Sequence, residues 1–147
     1  MSLDGLYQAH WVGLVRLGYV LCGSLPLAED IVHDAFVRLV PSLERVEDPL
    51  AYLRKAVLNG VRDNYRHLRV QHRHPPAPSL PSALPEVDET WAALQALPTR
   101  YRDVLVLRYY SDLRVEDVAA VLGCPVGTAK SLIHRGLEKL KERLGDG

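Results

Sequence analysis

The sequence has few cysteines and no long apolar run, and each absence excludes a class of protein. Its two cysteines, Cys22 and Cys124, lie in apolar settings and form no CxxC or Cys/His spacing. We therefore expect free thiols, without a disulfide or a metal site, in a reducing compartment. No window approaches the 18 or more apolar residues that span a bilayer, so no membrane insertion is expected.

Two further signals are missing, a secretory leader and strand-like alternation. The first residues, MSLDGLYQAH, lack the basic start and apolar stretch of a leader, so we expect a cytoplasmic protein. A hydrophobic content of 48% over 147 residues allows one good core or two small ones. Apolar residues recur at spacings of three and four throughout, which predicts an all-α fold.

The formal net charge is zero, but the charges are distributed unevenly along the chain. Residues 29–48 contain six acids and two arginines, whereas residues 49–74 contain six bases and one acid. Residues 126–144 contain five bases and two acids. This polarity indicates one kind of surface that binds cations and another that binds phosphate, although charges that only solvate helix faces give the same pattern.

Residues 71–85, QHRHPPAPSLPSALP, contain five of the ten prolines and no apolar periodicity. They predict an extended, semi-rigid linker. Two small helical domains are then expected on either side, residues 1–70 and 86–147. In the first domain the apolar spacing predicts one helix from Leu3 to about Leu21 and a second from Ala28 to Val40.

The third helix of the first domain combines an apolar stripe with a polar one. Asp48 and Pro49 form an N-cap and first-turn pair, and the apolar stripe continues to Leu68. A polar stripe at spacings of four, three, four and three contains Lys55, Asn59, Arg62, Arg66 and Arg69. Cations, an amide and nearby tyrosines suit a nucleic-acid strand, but an ordinary solvated basic face fits equally well.

The last third of the chain has the layout of a DNA-binding helix-turn-helix. A short amphipathic helix from Val115 ends at Leu122, a break follows at Gly123, and a long basic helix follows Pro125. Two scaffold helices, 91–97 and 100–110, are predicted before it, with Trp91, Leu94, Leu105 and Leu107 in the core. This layout indicates duplex DNA as a partner.

Three stretches in series resemble the extracytoplasmic-function group of bacterial RNA polymerase sigma factors. They are AEDIVHDAFVRL, AYLRKAVLNGVRDNYR and, after the proline-rich gap, the stretch from ALPTRYRDVLVLRYY to HRGLEKL. The resemblance implies a transcription initiation factor that binds core RNA polymerase, recognises two promoter elements with separate domains and helps to open the DNA. It implies no catalytic chemistry, no cofactor and no metal, and an anti-sigma protein is a candidate further partner.

The resemblance also implies a role for individual residues of the first domain. The second helix corresponds to the surface that docks on the clamp coiled coil of the polymerase, with Glu29, Asp30, Asp34, Phe36 and Arg38. The loop from Pro41 to Asp48 and the polar stripe of the third helix correspond to the part that captures a flipped base of the downstream promoter element. The residues assigned to that element are Lys55, Asn59, Arg62, Arg66 and Arg69.

In the second domain, the long helix corresponds to the part that recognises the upstream promoter element. The assigned residues are Thr128, Lys130, Ser131, His134, Arg135 and Lys139. Arg108 and Tyr109 lie near the family's contact with the polymerase flap. Two positions depart from the family, since Leu132 stands where arginine is usual and His33 where glutamine is common.

Two alternatives from other classes remain at this stage. A freestanding helix-turn-helix regulator, usually a dimer, would use the same C-terminal motif but leaves the first domain unexplained. An enzyme or metal site could involve His67, His72 and His74, but no carboxylate is spaced to complete such a site.

Overall fold

The computed structural model describes residues 2–64 and 89–145, and all regular secondary structure in these ranges is helical, as the apolar spacing predicts. The chain divides into two compact units, with the boundary between residues 84 and 85. The predicted linker at 71–85 lies outside the described residues. Within the described ranges, no helix has both the length and the apolar character needed to cross a membrane.

The first unit contains three α-helices, α1 (Leu3–Cys22), α2 (Leu25–Leu39) and α3 (Pro49–Asp63). Gly23 ends α1 in the left-handed region, with φ of 76°, which permits the tight turn into α2. Ser24 then caps α2, because its hydroxyl accepts a hydrogen bond from the backbone N–H of Leu27 at 3.3 Å. α1 and α2 begin and end within three residues of the predicted positions, and α2 continues into a 3₁₀ turn at Val40–Ser42.

The start of α3 follows the prediction. The Asp48 carboxylate accepts a hydrogen bond from the backbone N–H of Ala51 at 3.1 Å, and Pro49 is the first helical residue. α3 ends at Asp63, and the predicted continuation to Leu68 lies outside the described residues. At this end the Gly60 carbonyl accepts two hydrogen bonds from Asn64, one from the side-chain amide at 2.8 Å and one from the backbone N–H at 3.2 Å.

The core of the first unit forms where the apolar faces of the three helices meet. The apolar spacing of α1 predicts a core-facing stripe of Leu6, His10, Leu14, Leu17 and Leu21. The four leucines are buried, whereas His10 is only half-buried. Small residues let α1 and α2 approach closely, since a Cβ added at Gly18 would lie 3.2 Å from the Cβ of Ala28. The largest fully buried aliphatic side chains in this core are Leu21, Leu39 and Leu53.

The second unit contains four α-helices, α4 (Glu89–Ala96), α5 (Thr99–Leu105), α6 (Val115–Leu122) and α7 (Val126–Gly145). The chain after α5 forms a π-helical turn at Val106–Tyr110, where the sequence pattern predicted a continuous helix. Gly123, with φ of 71°, ends α6, and its N–H bonds to the Ala119 carbonyl at 2.8 Å. The predicted break between the two helices of the motif is therefore confirmed.

The core of the second unit brings α5 against α7. Gly136 is buried on α7, and a Cβ added there would lie 3.3 Å from Leu105 and 3.4 Å from the Cβ of Tyr101. Leu94, Leu105 and Leu107 are buried as expected, whereas Trp91 is only half-buried. An unexpected ion pair, Arg102 with Asp103, is also buried, with 3.4 Å between Nη2 and Oδ1.

Candidate nucleic-acid and protein interfaces

A groove of about 630 Å³ lies between α2 and α3 in the first unit. Asp30, Asp34 and Arg38 line it from α2, and Lys55 and Asn59 line it from α3. Residues that the sequence assigned to polymerase binding and to downstream DNA therefore share one groove. The groove therefore presents acidic side chains, basic side chains and the Asn59 amide to a partner.

Asp34 and Arg38 form an exposed ion pair on the α2 wall of this groove. The Arg38 Nε lies 2.9 Å from the Asp34 Oδ2, and the two side chains are 69% and 58% exposed. An exposed i,i+4 pair of this kind contributes only about 0.3–0.5 kcal/mol. Asp34 can therefore exchange Arg38 for a cation of a partner at little cost. Glu29 and Asp30 are exposed beside it.

Phe36 does not lie on the surface that the sequence assigned to polymerase binding. It is 4% exposed, and its ring centroid lies 5.2 Å from that of Tyr7 and 6.3 Å from that of Trp11. The prediction of a direct contact fails because α1 covers this side of α2. Phe36 instead packs α2 against α1, and so it supports the helix whose exposed side carries Glu29, Asp30 and Asp34.

The polar stripe of α3 is present only in part. Lys55, Asn59 and Arg62 are all exposed on this helix, and Asn59 projects at the groove. Arg66 and Arg69 lie outside the described residues. Among the described residues, the stripe therefore consists of one ammonium group, one amide and one guanidinium group within two helical turns.

The second unit presents the predicted DNA-facing side of α7. The six residues assigned there are all exposed: Thr128, Lys130, Ser131, His134, Arg135 and Lys139. Buried residues occupy the opposite side, with Ala129 and Ile133 packed in the core. Leu132 is half-buried at the edge between the two sides. The apolar spacing therefore predicts the orientation of this helix correctly around Ala129 and Ile133, whereas Leu144, which the same spacing assigns to the core side, is 40% exposed.

Two side chains of α7 make contacts that the sequence did not indicate. The His134 Nε2 lies 3.3 Å from the Glu138 Oε1, and both side chains are exposed. The Lys139 Nζ lies 5.6 Å from the ring centroid of Tyr101 on α5. Lys139 thus turns toward α5, at the flank of the exposed face.

Tyr101 is buried beneath these cations, with 4% of its surface exposed. The Arg100 Nη2 donates to its hydroxyl at 3.2 Å, and the guanidinium carbon lies 4.7 Å from the ring centroid. This hydrogen bond lowers the pKa of the Tyr101 phenol below its usual value, and the charges of Arg100, Lys139 and Arg135 act in the same direction. Sequence reasoning missed Arg100, because only the fold brings α5 beside α7.

Arg108 has a structural role where the sequence suggested a contact with the flap. Its Nη1 donates to the Leu113 carbonyl at 3.2 Å, which fastens the loop between the π turn and α6. Its guanidinium carbon also lies 5.4 Å from the ring centroid of Tyr109. Tyr109 itself is 54% exposed and is the accessible member of the pair.

Comparison with known proteins identifies the family. Residues 88–140 match the family described as Sigma-70, region 4. The ECF RNA polymerase sigma factor EcfG of Rhodopseudomonas palustris is 32% identical over 135 residues, which cover 84% of this chain and 75% of the relative. The chain belongs to the ECF family of RNA polymerase sigma factors. Members of this family are initiation factors that direct RNA polymerase to promoters, and they are not catalysts themselves.

A further relative and one solved structure agree with this assignment. The ECF sigma factor SigE of Mycolicibacterium smegmatis is 28% identical over 158 residues, and the match covers 97% of this chain but 62% of that protein. The crystal structure of the sigma factor RpoE with the anti-sigma factor NepR from Bartonella quintana has a TM-score of 0.76 at 21% identity, covering 97% of this sigma factor and 96% of that chain. At that identity the likeness establishes the fold.

Proposed function

We propose that the first unit of this sigma factor binds core RNA polymerase and the downstream promoter element, and that the second unit binds the upstream element. One observation carries this proposal. Similarity to an ECF sigma factor extends over 84% of the chain, which exceeds either unit alone. A freestanding helix-turn-helix regulator is not favoured, because the similarity includes the first unit. The site of action is the cytoplasm, and the chain itself catalyses no reaction.

In the first unit, the exposed acids of α2 bind cations of the polymerase clamp. Support comes from Glu29, Asp30 and Asp34, which are exposed beside one another, and from the weak pairing of Asp34 with Arg38. The α3 wall of the groove binds DNA. An exposed amide at Asn59 has the donors and acceptor to bind the edge of a flipped base, and Lys55 beside it neutralises a phosphate.

In the second unit, the exposed side of α7 enters the major groove at the upstream element. Thr128 lies in the first turn, where backbone N–H groups and a hydroxyl suit a phosphate. Ser131, His134 and Arg135 contact base edges in this proposal, and their exposure further along the same side of α7 supports it. Glu138 restrains the orientation of His134 through their 3.3 Å contact.

The division of work in the first unit is tested by two substitutions in the full chain. Asp34→Arg reverses the charge that meets the clamp, so it should weaken co-elution with core polymerase at least tenfold, which corresponds to about 1.4 kcal/mol. Asn59→Ala should leave that affinity unchanged and reduce promoter opening, measured by permanganate footprinting. Matched controls are Asp4→Arg and Gln8→Ala, which change an exposed acid and an exposed amide of α1. Equal loss of both activities in both variants, with folding intact, contradicts the division.

An anti-sigma protein is proposed as a third partner. The support is the fold shared with the Bartonella quintana sigma factor, whose structure contains the anti-sigma factor NepR. A protein that co-purifies with this sigma factor from its own cells and displaces it from core polymerase is the expected result. If the displacing protein binds the Asp34→Arg variant as tightly as it binds the parent chain, it uses a surface other than α2.

A further inference from the structure

Arg100 and Lys139 contact one buried tyrosine at the flank of α7, and Arg135 lies one helical turn before Lys139. The Tyr101 cluster consists of Arg100 and Tyr101 on α5 and Arg135 and Lys139 on α7. The Arg100 Nη2 donates to the Tyr101 hydroxyl at 3.2 Å, and the Lys139 Nζ lies 5.6 Å from the centre of its ring. The charge of Arg135, one turn before Lys139 on α7, also lowers the pKa of the Tyr101 phenol.

None of the three cations of the Tyr101 cluster has an ion-pair partner among residues 2–64 and 89–145. Like charges held together repel one another. The electron-rich ring and hydroxyl of Tyr101 offset part of that repulsion, and the exposed Glu138 and Glu142 on α7 offset another part. An anion placed among them would be attracted by all three. The arrangement is therefore complementary to a bound anion rather than to a further protein cation.

We propose that the Tyr101 cluster binds a backbone phosphate of promoter DNA beside the upstream element, so that the DNA-binding surface extends from α7 onto α5. The proposal rests on the proposed function of α7. Arg135 lies on the exposed side of α7 one turn before Lys139, so the exposed side and the cluster adjoin one another. Lys139 lies one turn further along and reaches back to α5, so its charge lies at the edge of the surface.

The occupant is a phosphate and not a base edge, because the cluster presents charge without a fixed pattern of acceptors. Arginine and lysine supply donors only, and Tyr101 is buried, so its hydroxyl is committed to Arg100. Contacts of this kind position a protein on DNA and add affinity that depends on salt, but they carry no sequence information. Arg100 should therefore contribute to affinity without contributing to promoter choice.

The test measures the affinity of the holoenzyme, formed from the full chain and core polymerase, for duplex promoters selected from a random library. Loss of one phosphate contact lowers the slope of log affinity against log salt by about 0.9. Arg100→Ala should lower that slope by about 0.9, weaken binding several-fold at low salt and leave the order of preferred sequences unchanged. Arg100→Lys, which keeps the charge, should restore most of the slope. Arg16→Ala, which removes an exposed cation from α1, is the control and should change neither quantity.

A second variant tests the part played by the tyrosine. Tyr101→Phe keeps the ring beneath Lys139 but removes the hydroxyl that orients Arg100, so it should weaken binding less than Arg100→Ala does. Combining Tyr101→Phe with Arg100→Ala should add nothing beyond Arg100→Ala alone. Fully additive losses would contradict an orienting role for the hydroxyl.

The outcomes separate this proposal from the proposed function. An unchanged salt slope in Arg100→Ala, while Ser131→Ala still alters sequence preference, overturns the phosphate site and leaves the function of α7 standing. A second result also overturns the phosphate site. If Arg100→Ala no longer co-elutes with core polymerase, while the free chain still binds duplex DNA as tightly as the parent, the cluster binds an acidic protein surface. A parent holoenzyme that selects no promoter from the library contradicts the proposed function itself.

Discussion

Gly60 on α3 lies directly against Ile31 on α2, and a Cβ added at Gly60 would fall 2.6 Å from the Ile31 Cγ2. This close approach brings the α3 wall of the groove, with Asn59, next to the α2 wall. Gly60→Ala should therefore destabilise the first unit. The helix gains about 1 kcal/mol from alanine, but overpacking costs about 1–3 kcal/mol, and a β-branched neighbour gives way poorly.

The change at Gly60 is best measured by urea unfolding followed through one tryptophan. The chain has two, Trp11 in α1 and Trp91 in α4, so a Trp91→Phe background reports the first unit alone. Gly13→Ala is the matched control, because nothing lies within 4 Å of a Cβ added there. That control should be neutral or stabilising, and a Gly60→Ala variant that behaves the same way would show that α2 and α3 separate easily.

Tyr19→Phe should stabilise the first unit by about 1 kcal/mol, the lower end of the cost of an unpaired buried hydroxyl. Tyr19 is 1% exposed, and its hydroxyl has no hydrogen-bond partner among the described residues. Removing the oxygen removes that cost. Tyr7→Phe, at a side chain that is 40% exposed, is the control and should change little. Destabilisation by Tyr19→Phe would mean that the hydroxyl has a partner in solution.

The same residue should give the first unit a defined dependence on alkaline pH. Burial raises the pKa of the Tyr19 phenol above its usual value, and the nearby Cys22 raises it further by a smaller amount. The folded state then holds this proton more tightly than the unfolded state. Its contribution to stability is complete below pH of about 10, where an unfolded tyrosine titrates, and is lost as pH rises through the folded pKa. The parent should therefore lose more stability above pH 10 than Tyr19→Phe does, as urea titrations at several pH values would show.

Asp48→Ala should destabilise α3 by about 1 kcal/mol, because its carboxylate caps the first turn. The neighbouring Glu47 is exposed outside the helix, so Glu47→Ala provides a control with the same loss of charge. The free energies of unfolding of the two variants should differ by most of that amount. Similar values for both would show that charge, and not the cap, matters at this position.

Leu132→Arg should strengthen upstream binding, because it supplies the cation that the family usually has at this position. Leu132 is half-buried at the edge of the exposed side of α7, so an arginine stem can cover the same apolar surface while its head reaches the DNA. We expect a salt slope steeper by about 0.9 in holoenzyme binding. Leu132→Gln controls for the loss of the apolar side chain, and an unchanged slope for Leu132→Arg would place this residue away from phosphate.

Local signals in the sequence predicted the helices well. The cap at Asp48, the left-handed turn at Gly123 and the buried side in the first half of α7 each depend on a few neighbouring residues, and all were predicted correctly. The positions that failed depend on contacts across the fold. Phe36 is buried because α1 covers it. The contact of Lys139 with Tyr101 was likewise not indicated, because it forms between two helices.

Other features had no usable pattern in a single sequence. The π turn at Val106–Tyr110 changes the register of a stretch that contains no glycine or proline to mark the change. The buried pair of Arg102 and Asp103 is adjacent in sequence, where such charges ordinarily point to solvent. The groove between α2 and α3 was not predicted, because apolar spacing along each helix does not give the distance between the two helices.

The most direct test of the account is reconstitution of the purified full chain with bacterial core RNA polymerase on a library of defined promoters. The account predicts co-elution with the polymerase and initiation from a subset of promoters that share two separated sequence elements. A chain that binds duplex DNA but neither co-elutes with polymerase nor supports initiation would contradict it.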